Sequence, residues 1–471
     1  MSTNSSLQAP AINDAQLNRM ATAIVVGAVA VILDTTIVSV ALDQLGGALG
    51  VGLSGIQWVS TAYLLAMVVA IPLSSWAQGR WGGRRLWMGA LAVFLIGSIM
   101  CAASWDLSSL VVSRVVQGLG GGVMMPLMTT LLMQAAGGRP LGSLMAKVSL
   151  PAALGPILGP VVGGVILSVG SWRWIFAVNI PLCLVGLWLA HRALPVDKPR
   201  ERGVALDVIG LALLSPGIAL VVYGLSQVGT HDGFGHSAVM VPLVAGLVLC
   251  AAFVAWALRR GSRALVDIRL FRHRPLAASS LLLVLAGAAL YGAMFLLPLY
   301  YQQVRGADAL GAGLMLIPQG VGALASRSIA GRLTDTIGGR WVAVVGFAVI
   351  AIATIPFALA DNNTSEWWLG AVLVVRGLGV GAVFIPLMTG AFAGLAREEM
   401  PHASIFTRVG QQLGGSFGIA VLAAVLTSLV GSGLVSAFDG AFWWAVGITA
   451  IAVPLSFLLP ARETVESEAI A

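Results

Sequence analysis

Charge is scarce in this 471-residue chain: Asp, Glu, Lys and Arg make up 10% of it, against 58% hydrophobic residues. Soluble domains carry about 25% charged residues, so a water-soluble globular fold is excluded. Cysteine is nearly absent. Cys101, Cys183 and Cys250 all fall inside apolar stretches, an odd number without metal-ligand spacing, which excludes a disulfide framework. His231 and His236 flank Asp232, but two histidines five residues apart with one acid are a weak metal signal, and a solvated outer loop accounts for them. No Gly-x-x-x-x-Gly-Lys-Ser/Thr pattern occurs, so a P-loop nucleotide site is excluded and an ion gradient is the expected energy source. Met1–Gln16 has neither a basic start nor a small-residue cleavage site, and reads as a cytoplasmic tail rather than a signal peptide.

What the chain has in abundance is apolar runs of about 20 residues, the length that crosses a bilayer core. They fall at 20–45, 54–75, 85–104, 108–134, 141–168, 173–192, 205–227, 238–258, 275–301, 309–330, 341–360, 367–393, 403–430 and 440–460, giving fourteen expected transmembrane helices. With a cytoplasmic N-terminus, loops after even-numbered spans should be rich in Lys and Arg, and they hold about 18 of the 26 basic residues, Arg327 counted among them. Asp43, Asp106, Asp232, Asp361, Glu366 and Asp439 collect on the opposite side. The asymmetry predicts a multi-pass protein of the cytoplasmic (plasma) membrane with both termini inside. It also explains the net charge of +7 as topogenic and lipid-facing, so no nucleic-acid partner is needed.

Asp34 is the outlier, a lone carboxylate near the middle of the first span. An ionised group at that depth costs about 2.5–3.5 kcal/mol on insertion scales. It persists by facing a polar cavity, by pairing with a cation, or by taking up a proton and so coupling proton release to another event. The plainer reading is an Asp that bonds Thr35 or Thr36 and only shapes the helix. Arg114, about 9 Å into the fourth span at 1.5 Å per residue, reaches the depth of Asp34 and is its expected partner, unless it snorkels or binds carbonyls. Arg376 lies mid-depth in the twelfth span, while Lys147 and Arg408 lie near the cytoplasmic boundary and are expected to snorkel.

The chain repeats itself. Val115-Val116-Gln117-Gly118-Leu119-Gly120 with Pro126-Leu127-Met128-Thr129 has a counterpart in Val374-Val375-Arg376-Gly377-Leu378-Gly379 with Pro386-Leu387-Met388-Thr389. Gly82-Gly83-Arg84 likewise matches Gly338-Gly339-Arg340, and Gly155 and Gly159 match Gly414 and Gly418. Repeats of this kind mark secondary transporters whose halves rock about a central site. The expected organisation is a tail (1–17), a six-helix bundle (18–193), a linker with extra helices 7 and 8 (194–274), a second six-helix bundle (275–460) and a tail (461–471).

Four segments, in order, resemble the major facilitator superfamily and specifically its fourteen-helix drug:proton antiporters. They are Leu33-Asp34-Thr35-Thr36-Ile37-Val38, Arg114-Val115-Val116-Gln117-Gly118, Gly155-Pro156-Ile157-Leu158-Gly159-Pro160-Val161-Val162-Gly163-Gly164, and Gly331-Arg332-Leu333-Thr334-Asp335-Thr336-Ile337-Gly338-Gly339-Arg340. The resemblance implies an all-α polytopic fold of two six-helix bundles plus two extra helices, fourteen in all. It implies no enzyme activity and proton coupling at Asp34 and Arg114. Cytoplasmic gating loops would form at Arg80, Gly82, Arg84 and Arg85 and at Gly331, Asp335, Gly338 and Arg340. Gly155, Gly159 and Gly163 form one flat helix face that admits another backbone, and Pro156 and Pro160 bend it, so this helix is expected to open and close between the bundles. One departure stands out: Gly79 replaces the acid usual in the first loop motif, which puts the N-terminal latch in doubt.

The central cavity is expected to draw on Tyr63, Met124, Met125, Met128, Tyr291, Phe295, Gln319, Phe384, Gln411 and Gln412, adaptable Met and aromatic side chains that suit lipophilic ligands. The leading expectation is a proton-coupled exporter of lipophilic, often cationic drugs, acting as a monomer among membrane lipids with no cofactor and no metal. A dedicated exporter of one metabolite or antibiotic, or a lipid-handling component on the same scaffold, are the alternatives.

Overall fold

The computed structural model describes residues 13–51, 53–56, 58–136, 159, 162–167, 170–197, 205–229, 233–307, 309–361 and 363–460. Among them, eleven helices are long and apolar enough to cross a membrane, or twelve if the bent pair Trp58–Ala70 and Leu73–Trp81 is one span. Residues 141–168, the expected fifth span, lie largely outside the described residues, as do Gly155, Pro156 and Pro160. The N-terminal half comprises α1 (Asp14–Leu49), α2 (Trp58–Ala70), α3 (Leu73–Trp81), α4 (Gly83–Ala102), α5 (Leu107–Ala136), α6 (Arg173–Ala177) and α7 (Asn179–Ala193). The extra pair is α8 (Val208–Ser226) and α9 (Ser237–Arg260). The C-terminal half comprises α10 (Arg274–Gln303), α11 (Ala309–Met315), α12 (Ile317–Ile337), α13 (Gly339–Ala358), α14 (Glu366–Ala391), α15 (Met400–Leu429) and α16 (Leu434–Leu455).

Pairings repeat between the halves. α5 packs on α2 and α4, as α14 packs on α12 and α13. Small residues set these contacts: a Cβ at Gly120 would collide with the α4 backbone at Phe94, and one at Gly379 with the α13 backbone at Ile350. The 56° bend between α2 and α3 falls at Pro72, whose ring removes a backbone donor. The turns before α4 and α13 match as well, Gly82 at φ 88°, ψ 164° and Gly338 at φ 91°, ψ 153°, a backbone region that glycine alone enters freely. Exposed tryptophans ring the span ends, Trp105, Trp174, Trp367 and Trp368 at one side, Trp81 and Trp341 at the other, the depth where an amphipathic ring is most stable in a bilayer.

The bundles meet at the arginine-rich end. There a single apolar cluster contains Met124, Met128 and Met133 of α5 together with Ala330, Ile385 and Ala403 of the opposite half. Thr130 donates to the Ser404 hydroxyl across the junction at 2.7 Å, and the Gln134 amide donates to the Arg397 carbonyl at 3.0 Å. Toward the other end the clusters separate by half, one built on Ile37, Leu45, Val59 and Phe176, another on Tyr300, Phe357, Phe438 and Phe442. The structure is therefore sealed at the arginine-rich end.

Helix α8 lies along both halves, packing on α2 and on α15. Ile218 and Val222 of α8 share a buried cluster with Val68 of α2 and Val409 of α15, and the Ser215 hydroxyl donates to the Val69 carbonyl at 2.8 Å.

Candidate functional site

Two helices of the N-terminal half, α5 and α7, bring donors to Asp34 of α1, which has no exposed surface. Arg114 Nη1 donates to Asp34 Oδ2 at 2.5 Å, while Gln117 Nε2 and Asn179 Nδ2 each donate to Oδ1 at 2.9 Å. The arginine is itself held. Its Nε donates to the Val59 carbonyl at 3.0 Å, Nη1 also reaches Gln117 Oε1 at 2.6 Å, and the guanidinium lies 4.0 Å from the centroid of the Tyr63 ring. Gln117 Nε2 in turn donates to Ser98 Oγ of α4 at 2.8 Å. An ion pair this deeply buried is costly to assemble and more costly to break by removing one partner. All the side-chain donors point at the carboxylate, so a neutral carboxyl would have to turn one of them away to place its own O–H.

The sequence pattern brings Asp34 and Arg114 together but does not single out Gln117, Ser98 or Asn179, neutral polar residues of the kind that bond locally in many helices. The plainer expectation, an Asp34 bonded to Thr35 or Thr36, is not what the structure shows: their hydroxyls donate back to the Val31 and Leu33 carbonyls, and Asp34 is bonded by Arg114, Gln117 and Asn179.

The repeat places Arg376 where the first half has Gln117. Its Nε donates to Thr354 Oγ1 at 3.2 Å, Nη1 to Gln319 Oε1 at 2.7 Å and Nη2 to the Ala289 carbonyl at 3.1 Å. Thr354 thus stands in for Ser98, and a neutral carbonyl stands where Asp34 would be. Arg327 departs from expectation: it lies well inside α12, 6% exposed, rather than in a loop. Arg408 departs too, turning to Gln411 at 3.4 Å instead of snorkelling, with its Nε buried and unpartnered.

Of the expected cavity residues, Tyr63 belongs to the charge site, and Met124, Met125 and Met128 belong to the seal, so in this state these four are packed rather than open. Tyr291, Phe295, Gln319, Phe384, Gln411 and Gln412 are half-buried in the C-terminal half. Gly159 and Gly163 are buried against Thr36 and Ile37 of α1, so at these positions the glycine face meets a helix of its own bundle, not the opposite one. Gly164 has open space around it.

At the first loop motif, where Gly79 stands in place of the usual acid, an acid approaches from elsewhere in the chain. Asp197, from the segment after α7, accepts the backbone N–H groups of Arg84 at 3.0 Å and Arg85 at 2.9 Å, capping α4, while the Arg84 side chain donates to the His191 carbonyl at 2.6 Å. Arg80 is exposed, and Gly82 presses so closely on Asp197 that no side chain fits there. In the second loop Arg340 Nε donates to the Leu459 carbonyl at 2.6 Å, and Asp335 is half-buried beside the buried Gly331. Replacing Asp197 by Ala should remove the cap, cost about 1 kcal/mol and lower the thermal midpoint. An unchanged midpoint would show that the contact contributes nothing.

The Major Facilitator Superfamily pattern matches residues 24–419. A Mycobacterium tuberculosis (strain ATCC 25618 / H37Rv) protein named multidrug resistance protein B homolog is 36% identical over 416 residues, covering 88% of this chain and 77% of that protein. The multidrug export protein EmrB of Haemophilus influenzae (strain ATCC 51907 / DSM 11121 / KW20 / Rd) is 30% identical over 420 residues, covering 89% of this chain and 82% of its own length. Among solved structures, the proton:xylose symporter XylE bound to 6-bromo-6-deoxy-D-glucose superposes with a TM-score of 0.69 at 15% identity, covering 97% of this chain and 99% of that one.

Proposed function

The chain belongs to the major facilitator superfamily and is of the multidrug efflux type, and from that premise we propose that it exports lipophilic compounds across the cytoplasmic membrane in exchange for protons. The observation that carries this reading is the buried Asp34–Arg114 pair at 2.5 Å. A proton on Asp34 cancels the only opposite charge bonded to Arg114 and leaves a guanidinium buried without a counter-ion, a state worth several kcal/mol of stress. Rearrangement of α1 against α5 relieves it, and the rearrangement is what couples proton entry to the swing between inward- and outward-open forms. Arginine-rich loops at the sealed end support the reading that this end, with both termini, faces the cytoplasm. The protein works as a monomer with lipids as its neighbours. The direct test is dye export in inside-out vesicles with the pH gradient imposed and then collapsed; export that persists without the gradient would remove the proton from the cycle.

The seal provides a second test. Thr130 and Ser404 meet at 2.7 Å, so the double variant Thr130→Cys, Ser404→Cys should cross-link under oxidation, arrest export almost completely and recover on reduction. Full export from the cross-linked protein would mean that this end never opens.

A further inference from the structure

We propose that the transported compound carries an anionic group on an apolar body, and that Arg327 and Arg408 of the C-terminal half receive that group. Among the described residues only two carboxylates are fully buried, and each already has an arginine: Asp34 with Arg114 at 2.5 Å, Asp207 with Arg260 at 3.7 Å. Buried cations, by contrast, are in excess. Arg376 is satisfied by neutral acceptors alone. Arg327 is 94% buried by its 6% exposure, and its Nε and Nη1 have no partner at all. Arg408 is half-buried rather than buried, with one long bond to Gln411 and a buried, unpartnered Nε. No acid is concealed in the fifth span, since residues 137–169 contain neither Asp nor Glu.

Position makes this excess useful. Arg327 lies on the face of α12 that carries Gly320, Ala323 and Ala330, all buried, and Ala330 is part of the cluster that joins the bundles. Arg408 is one turn beyond Ser404, the residue bonded across the junction to Thr130. Each arginine thus lies about one helical turn from a residue of the seal, on the C-terminal half, where no buried carboxylate occurs among the described residues. Buried guanidinium N–H groups without acceptors destabilise a fold unless a ligand supplies them, and a planar fork suits a carboxylate or sulfonate. Half-buried Tyr291 and Phe384 supply apolar surface on neighbouring helices. A cation entering the same place would be repelled, which reverses the sign expected from Asp34 alone.

This inference rests on the export reading only for the direction of movement, because binding requires no gradient. Purified full-length protein in nanodiscs would be titrated with 8-anilinonaphthalene-1-sulfonate, its uncharged relative N-phenyl-1-naphthylamine, and tetraphenylphosphonium, using tryptophan quenching with empty nanodiscs as the reference. The sulfonate should bind at least about tenfold more tightly than the neutral relative, and Arg327→Gln or Arg408→Gln should each weaken it about tenfold while leaving the neutral relative unchanged. Arg327→Lys should recover part of the loss. Displacement of the dye by palmitate would assign the anion to a lipid, and displacement by naphthalene-2-carboxylate to a compact aromatic acid; either fits the proposal. Equal affinity for the charged and neutral forms, preference for the phosphonium, or equal weakening of both dyes in the variants would overturn it. A sulfonate that binds as expected but is not moved by a pH gradient would instead count against proton-driven export, leaving the binding assignment intact.

Discussion

Asp34→Asn should lower pH-gradient-driven export at least about a hundredfold, the scale expected when a positioned proton carrier is removed. The amide matches the carboxylate in shape and can still accept at one atom, but it cannot exchange a proton. It also leaves Arg114 with no negative partner, and breaking a buried pair by removing one member costs about 3–5 kcal/mol. The single variant should therefore be both inactive and less stable, and the two effects separate in a double variant. Asp34→Asn with Arg114→Gln removes both charges, so its thermal midpoint should return toward that of the parent while export stays absent. If the double variant regains export together with stability, the pair serves only the fold. Normal export by Asp34→Asn alone would take this carboxylate out of the cycle.

The second large effect concerns a single Cβ. At Gly159 an added Cβ would run into the Thr36 hydroxyl and the Thr36 Cβ, whereas at Gly163 the nearest atom is the Ile37 methyl at 3.4 Å, an ordinary contact. Gly159→Leu should accordingly abolish export by forcing the fifth span off α1, and even Gly159→Ala should cost about 1–3 kcal/mol in overpacking. Gly163→Ala should keep most of the activity. Thermal unfolding alongside vesicle export checks the order, and equal tolerance at the two positions would mean that this face is not pressed against α1. Because Thr36 lies two residues from Asp34, the loss of export at Gly159 is expected to exceed what lost stability alone would cause.

How legible was this in the residues? The architecture was plain, because apolar length, arginine asymmetry and a collinear repeat each follow from bilayer physics with few alternatives. Asp34 and Arg114 were legible for the same reason: a charge inside an apolar run demands a partner, and their depths agree. Gln117, Ser98 and Asn179 were not, since an uncharged polar side chain can satisfy itself on its own helix and only the tertiary arrangement shows that it does not. Asp197 was hidden by distance, lying 113 residues from the Arg84 backbone that it caps. The glycine stripe announced a close approach but not its partner, and a flat face fits α1 as well as it fits the opposite bundle. Arg327 reads as a loop residue from composition alone, because the end of a moderately apolar helix resembles a loop, yet it is buried within α12.

One consequence of the extra pair concerns how a greasy compound enters. Molecules that dissolve in the bilayer need not come from water; they can slip sideways between two bundles wherever the seam faces lipid. Along the seam flanked by α2 and α15, α8 fills the gap with Ile218 and Val222 and is tied to α2 through Ser215. A solute partitioned into the bilayer would meet α8 on that flank, so the extra pair gives a nearly twofold-symmetric fold one covered seam.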